Sequence, residues 1–290
     1  MQNKIKNKVY ESIMNALDKG VVPWRKPWSA VNNGRAYNGI TGRPYKGINV
    51  VLLAAAEMSE GFTTNAWATF NQINKAGGHV RKGEKCKAFV VFWSRVEKKN
   101  VEEDSDEDEN FYWLLKIHNV FNLSQTAGLE HLIEEAEVKA LVPDSEKVVD
   151  ALAAFDKYTN REGLTVKENG GEAYYSITGD YIGMPKKETF DSGEDYVSTA
   201  FHEAVHSTGA KKRLDRPMKG YSNIDNHSYS YEELIAEFGA AFTCAHFGID
   251  NTIENSAAYI ESCKRTIDEN KHSIMSAASA AQKAVEFILK

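Results

Sequence analysis

The 290-residue sequence predicts an α+β protein of two domains. Stretches with helical and with strand periodicity alternate along the whole chain, which is the pattern of mixed layers. Charge is divided unevenly: residues 1–96 carry 15 Lys and Arg against 5 Asp and Glu, a net +10. Residues 97–110 carry 2 against 8, and residues 111–290 carry 18 against 28. A single His-Glu-x-x-His segment, His202 to His206, lies in the acidic half. A polyanion suits the first half and not the second.

Ile5, Val9, Ile13, Ala16 and Leu17 fall at helical spacing, and Gly20 closes that helix. Pro23 and Pro27 then force extended backbone. A Gly- and Asn-rich stretch over 32–47 holds Tyr37 and Tyr45 among Arg35, Arg43 and Lys46, and 49–58 reads as a buried helix. Thr69 and Gln72 have capping-box spacing for a short helix ending at Gly77 and Gly78. Residues 87–96 and 111–120, rich in Val, Phe, Trp and Tyr, read as strands joined by an acidic run over 102–109 that suits a solvated hairpin loop. The first domain is expected over 1–127, with the acidic loop at 97–110, and the second over 142–290.

In the second domain Asp144 or Ser145 caps a helix carrying Val148, Ala151, Leu152 and Phe155. Short strands are expected at 164–166, 173–177 and 181–184, and one of them beside the metal helix suits pairing with an extended peptide. Ser192 caps the next helix, whose first turn carries Glu194 and Asp195 and which Gly209 ends. Helices at 256–268 and 272–289 close the chain. No apolar run is long enough to span a bilayer, and the amino terminus lacks the apolar core of a signal peptide. Cys86, Cys244 and Cys263 are odd in number and form no Cys-x-x-Cys pair, so a reducing cytoplasm is the expected location.

The helical context gives the His-Glu-x-x-His segment its chemistry. Residues four apart share one face, so His202 and His206 offer two ring nitrogens to one divalent metal, zinc by ligand type. Glu203 is placed to act as general base on a water at that ion and to hand the proton to a leaving amine. A third ligand is needed, and Glu233 is the expected one, with Glu237 behind it holding a histidine by its other ring N–H. Glu232 and Glu237 are the next choices for that ligand, and His227 and His246 the remaining donors. Tyr221, His227 and Tyr229 are candidates for the oxyanion role.

Aromatic rings stack on unpaired bases while cations track phosphates. Trp24, Trp28, Tyr37, Tyr45 and Trp67 interleave with Arg25, Lys26, Arg35, Arg43, Lys46 and Lys75, and Arg81, Lys82 and Lys85 form a basic turn nearby. Asn49 and Gln72 are the polar members of the same predicted single-stranded-DNA surface.

These residues carry a family resemblance. Pro23-Trp24-Arg25-Lys26-Pro27-Trp28, residues 38–49, Trp67-Ala68-Thr69-Phe70-Asn71-Gln72 and residues 77–84 resemble the ArdC-type antirestriction N-terminal domain, also found in TraC-type plasmid primases. Residues 201–209, Arg213-Leu214-Asp215-Arg216 and residues 232–237 resemble the zincin-like domain that follows it. The resemblance implies a single-stranded-DNA-binding domain joined to a zinc metallopeptidase-like domain. Relatives of this kind are encoded on plasmids, phages and other mobile elements, including conjugative ones, and protect incoming DNA from host restriction. A protein substrate, such as a host restriction component, is then expected. The acidic run departs from that family, and residues 221–227 replace a shorter link, which bears on the oxyanion role. The competing readings are a DNA-coating protein with a structural or inactive metal site, and a peptidase unconnected with nucleic acid.

Overall fold

The computed structural model describes residues 2–25, 34–97, 111–133, 144–168, 171–218, 226–249 and 257–290. The acidic run, Lys26, Trp28 and Tyr221 lie outside the described residues, as do the side chains of His227 and Tyr229.

Helix α1 (Gln2–Asp18) buries Ile5, Val9, Ile13, Ala16 and Leu17, the face that its spacing predicts. Strand β1 (Tyr37–Asn38) leads to α2 (Ile48–Glu60), which starts after Gly47 and stops at Gly61 in the left-handed region. After β2 (Ala66–Ala68), Thr69 caps α3 (Phe70–Lys75) through the expected reciprocal bonds with Gln72. Then come β3 (His79–Val80), β4 (Ala88–Glu97), β5 (Phe111–Asn122) and β6 (Thr126–Ala127). One sheet has the order β1-β2-β5-β4, with β1 parallel to β2 and the other pairs antiparallel. Strands β3 and β6 form a separate antiparallel ribbon.

The second half begins with α4 (Asp144–Glu162) and a sheet of β7 (Thr165–Glu168), β8 (Tyr174–Ser176) and β9 (Tyr181–Met184). Its order is β7-β9-β8, which leaves β8 at the edge, packed against α5. Helix α5 (Gly193–Thr208) is capped by Ser192, whose hydroxyl accepts from the Asp195 N–H. Helix α6 (Asn226–Phe247) starts four residues before the expected Ser230, and α7 (Ala257–Glu269) and α8 (Ile274–Ile288) follow. The chain is thus α+β, with one mixed sheet in each half and helices packed against both.

The two halves share a core. One buried cluster runs from Ile5, Val9 and Leu17 of α1 through Phe201, Phe238 and Phe242 to Ile288. Trp24 from the first half stands edge-on to Phe238 of α6, with ring centroids 5.4 Å apart. Helices α5 and α6 cross closely, for a Cβ on Gly239 would lie 2.5 Å from a Val205 methyl. That close approach brings the His202 and Glu233 ends of the two helices together.

Candidate metal centre and nucleic-acid groove

His202 and His206, one turn apart on α5, meet Glu233 from the second turn of α6. The two histidine Nε2 atoms are 3.1 Å apart. Glu233 Oε2 lies 3.4 Å from His202 Nε2, and its Oε1 lies 3.3 Å from His206 Nε2. Ligands set tetrahedrally at about 2.0–2.1 Å from an ion stand about 3.3 Å from one another. The three donors therefore already have the spacing that a divalent ion requires, and among the described residues they are the one such cluster. His246 is thirteen residues further along α6, about 20 Å by helical rise. It packs edge-on against Phe247 and lies near Arg35, away from the centre.

The carboxylate behind His206 is Glu232, and the expectation for Glu237 is corrected here. Glu232 Oε1 lies 3.4 Å from His206 Nδ1, and Arg216 grips the carboxylate, donating to Oε1 at 2.5 Å and to Oε2 at 3.1 Å. Arg216 also donates to the Val205 carbonyl and the Thr208 hydroxyl, so it fastens Glu232 to the histidine helix. Asp215, at φ 48, makes the left-handed turn that delivers Arg216, a conformation that Asp tolerates better than most residues. Glu237 is one turn past Glu233 and accepts from Arg25 at 3.2 Å. A one-residue step on a helix rotates a side chain by about 100°, and that rotation is what separates Glu232 from Glu233.

Electrostatics follow burial and neighbours. Burial favours a neutral His206, but the Glu232 and Glu233 carboxylates outweigh it and lift its pKa to about 10. Burial also opposes ionisation of Glu233, yet its bonds to His202 and His206 hold it well below the usual carboxylate range. Glu203 is buried, and that burial raises its pKa against the pull of both histidines. The Tyr175 backbone N–H in β8 supports its carboxylate, while its buried Oε2 has no hydrogen-bond partner among the described residues. A carboxylate kept basic beside two metal-type ligands is the donor set of a general base.

A second feature lies on the first half. A groove of about 860 Å³ runs between the β4–β5 sheet, α2 and the loop after β1, with Met275, Ser279 and Gln282 of α8 as one wall. Arg43 and Lys46 stand exposed on its rim, Lys46 paired with Glu286, and none of its lining residues among those described is acidic. Tyr45 and Phe92 form part of the apolar floor, with ring centroids 6.3 Å apart. Asn38 donates to Gln72 Oε1, which also accepts from the Thr69 N–H.

Comparison with known proteins matches both halves. Residues 3–121 match the N-terminal domain of anti-restriction factor ArdC, and residues 153–280 match a zincin-like metallopeptidase family. The crystal structure of the antirestriction ArdC protein from R388 plasmid, in metal-free form, is 35% identical with a TM-score of 0.74, covering 98% of this chain and 96% of that one. Its Mn(II)-bound form is 34% identical with a TM-score of 0.72. The chain belongs to the ArdC family of antirestriction proteins. An uncharacterized protein of Sinorhizobium fredii, y4eC, is 28% identical over 98% of this chain and 91% of its own length. The DNA primase TraC of Escherichia coli is 29% identical over 97% of this chain, which spans only 26% of that primase.

In this ArdC-family chain the residues predicted to touch nucleic acid divide by position. Arg43, Tyr45, Lys46, Asn49 and Gln72 line the groove. Asn49 is buried there and clamps the Val91 backbone, donating to its carbonyl at 2.9 Å and accepting from its N–H at 2.8 Å. Trp24 and Trp67 are corrected: both are buried, Trp24 against Phe238 and Trp67 against Phe62. Arg25 is likewise corrected, since Glu237 and Tyr259 hold it between the two halves. Arg35 and Tyr37 are half-buried and do not line the groove. Lys75, Arg81, Lys82 and Lys85 are exposed but do not line it, and Arg81 is turned onto the Thr126 and Ser124 carbonyls. Sequence reasoning passed over Phe92, Trp93 and His118, which line the groove, and the neighbouring Tyr112 and Trp113. Their signal was present as exposed positions on two long strands.

Proposed function

We propose that this chain binds single-stranded DNA and acts as an antirestriction protein carrying a divalent-metal peptidase site. The observation that carries the reading is the meeting of His202, His206 and Glu233 at ligand spacing, with Glu203 beside them, in a chain that also has a cationic aromatic groove. The R388 ArdC protein was crystallised with Mn(II), which supports a divalent ion here, and the histidine–carboxylate donors suit zinc as well. When bound, such an ion polarises a peptide carbonyl and acidifies a water. The chain's own residues do the rest. Glu203 takes the proton of the attacking water and returns it to the leaving amine. Glu232 and Arg216 hold the His206 ring in place. Strand β8, the edge of its sheet among the described residues, lies beside α5, where an extended peptide such as a segment of a host restriction component can lie.

The groove supports single-stranded rather than double-stranded nucleic acid, because its rings sit in a recess that only unpaired bases reach. TraC, a DNA primase, carries a region similar to both halves, which supports a DNA partner. The test compares wild type with Glu203→Gln and His202→Ala. Wild type should retain metal through gel filtration, bind single-stranded oligonucleotides with strong salt dependence, and protect DNA from restriction in cells. Glu203→Gln should keep metal and DNA binding and lose protection. If protection survives that change, the peptidase reading is wrong and DNA coating is the function.

A further inference from the structure

A second cleft, of about 630 Å³, adjoins the groove and shares Trp93, Met275 and Ser279 with it. Its remaining walls are Gln2 and Lys6 of α1, Leu214, Arg216, and Ser276, Ala280 and Lys283 of α8. Helix α8 serves both recesses with neighbouring stripes. Met275, Ser279 and Gln282 face the groove, while Ser276, Ala280 and Lys283, at the same helical spacing, face the cleft. Among the described residues three cations and no carboxylate line the cleft, and one of the three, Arg216, is paired with Glu232. Lys46, Lys87, Lys212 and Lys264 each have a carboxylate partner, but Lys6 and Lys283 have none among the described residues. Trp93 stands where the two recesses meet, about half of its surface open to solvent (51%).

We propose that the DNA path does not end in the groove: the strand passes over Trp93 and enters this cleft, where Lys6 and Lys283 take its phosphates. The inference rests on the single-stranded-DNA reading above and extends it across the boundary between the halves. Two lysines facing a recess with no acidic lining among the described residues fit a polyanion better than a peptide, which brings no regular charge. A ring between two cationic recesses is the arrangement that lets a base stack while the backbone continues. Arg216 closes the far end. Its donors are committed to Glu232, Val205 and Thr208 and Glu232 balances its charge, so the phosphates are left to Lys6 and Lys283.

The test uses the full-length protein and fluorescently labelled oligothymidylates of about 4 and about 16 nucleotides, the span of single-strand site sizes. Binding is measured by anisotropy between about 50 and 200 mM salt for wild type, the Lys6→Ala/Lys283→Ala double variant and Trp93→Ala. Each phosphate neutralised on a single strand contributes about 0.7 to the salt slope, so the double variant should lose about 1.4 on the long oligonucleotide. Its affinity across that salt range should then fall about sevenfold less than that of wild type. The short oligonucleotide, filling the groove alone, should bind both proteins equally. Trp93→Ala should weaken the long oligonucleotide more than the short one. All three residues are at the surface, and an unchanged melting temperature verifies folding. Wild-type slope and affinity of the double variant on the long oligonucleotide would overturn the proposal, as would equal losses at both lengths. Absence of salt-dependent binding by wild type at either length would overturn the DNA reading itself.

Discussion

Replacing Glu232 by Gln tests how the metal ligands are held. The side chain keeps its shape but loses the charge that His206 Nδ1 and the Arg216 guanidinium both face. Removal of a carboxylate behind a ligand histidine typically costs about 10- to 100-fold in metal affinity, or about 1.4–2.8 kcal/mol. The upper end is expected here. Glu232 is buried, and the same change also loosens Arg216, which ties it to the histidine helix. Stability without metal should fall by about 2 kcal/mol, since Arg216 keeps its bonds to Val205 and Thr208 while losing an ionic partner. Calorimetric titration of chelator-stripped protein with Mn(II) and Zn(II) reads the first effect, and metal-free urea unfolding reads the second. Glu237→Gln is the control. Its carboxylate answers Arg25 and should leave metal affinity unchanged. Wild-type affinity in Glu232→Gln, or an equal loss in Glu237→Gln, would refute this account of the centre.

Gly239→Ala should cost about 1–3 kcal/mol in urea unfolding, because its methyl group would strike Val205 between α5 and α6. Metal affinity should fall with it, as the ligand helices are forced apart. Asp180 gives a pH test. Burial opposes its ionisation, but Lys212, Tyr175 and Arg213 more than offset that and hold its pKa below the ordinary value. A depressed folded-state pKa means stability that is present above the unfolded value of about 3.9 and lost as pH falls through the folded one. The stability gap between wild type and Asp180→Asn should therefore be full near neutrality and close under acid, as read by urea unfolding across that range. Arg43→Ala/Lys46→Ala should weaken single-stranded DNA binding at an unchanged melting temperature, whereas Trp24→Ala should lower stability by about 3–5 kcal/mol.

The two histidines were legible because their geometry is local: four residues on one helix decide it. The third ligand was only narrowed, because Glu232, Glu233 and Glu237 sit within six residues of one another. Which of them faces His202 depends on how α6 is rotated against α5, and the contact between Gly239 and Val205 sets that rotation. No spacing rule along either helix contains it. Composition misread the first half for a related reason. Trp24 and Arg25 have the residue types of a nucleic-acid surface, but α6 and α7 bring Phe238, Glu237 and Tyr259 to cover them. Strand alternation held more than was taken from it. Val90 and Val91 are both buried, while Phe92 and Trp93 are both exposed, so the β4–β5 ribbon leaves the body of the protein at that point. Consecutive strand residues face opposite sides, so the exposure of both Tyr112 and Trp113 further along marks where the ribbon is open on its two faces.

The shared core decides how the two activities can be separated. If the halves were independent, deleting residues 1–127 would leave a folded metal domain. In this structure that deletion removes Trp24 from Phe238 and strips α1 from α7, including the bond from Tyr10 to Asp268. Loss of the Trp24 packing alone costs about 3–5 kcal/mol, a large part of the roughly 5–15 kcal/mol that holds a domain together. The fragment 128–290 should therefore lose its cooperative thermal transition in circular dichroism, with Phe238 opened to solvent. A sharp transition near that of the full chain would show instead that the core contacts between the halves are dispensable. The Arg25–Glu237 ion pair joins the halves one helical turn from Glu233, on a carboxylate that does not reach the metal ligands. Arg25→Gln, which breaks the same bond as the Glu237→Gln control, should lower stability and leave metal affinity unchanged, and a loss of metal affinity in that variant would show that the contact between the halves also positions the ligands.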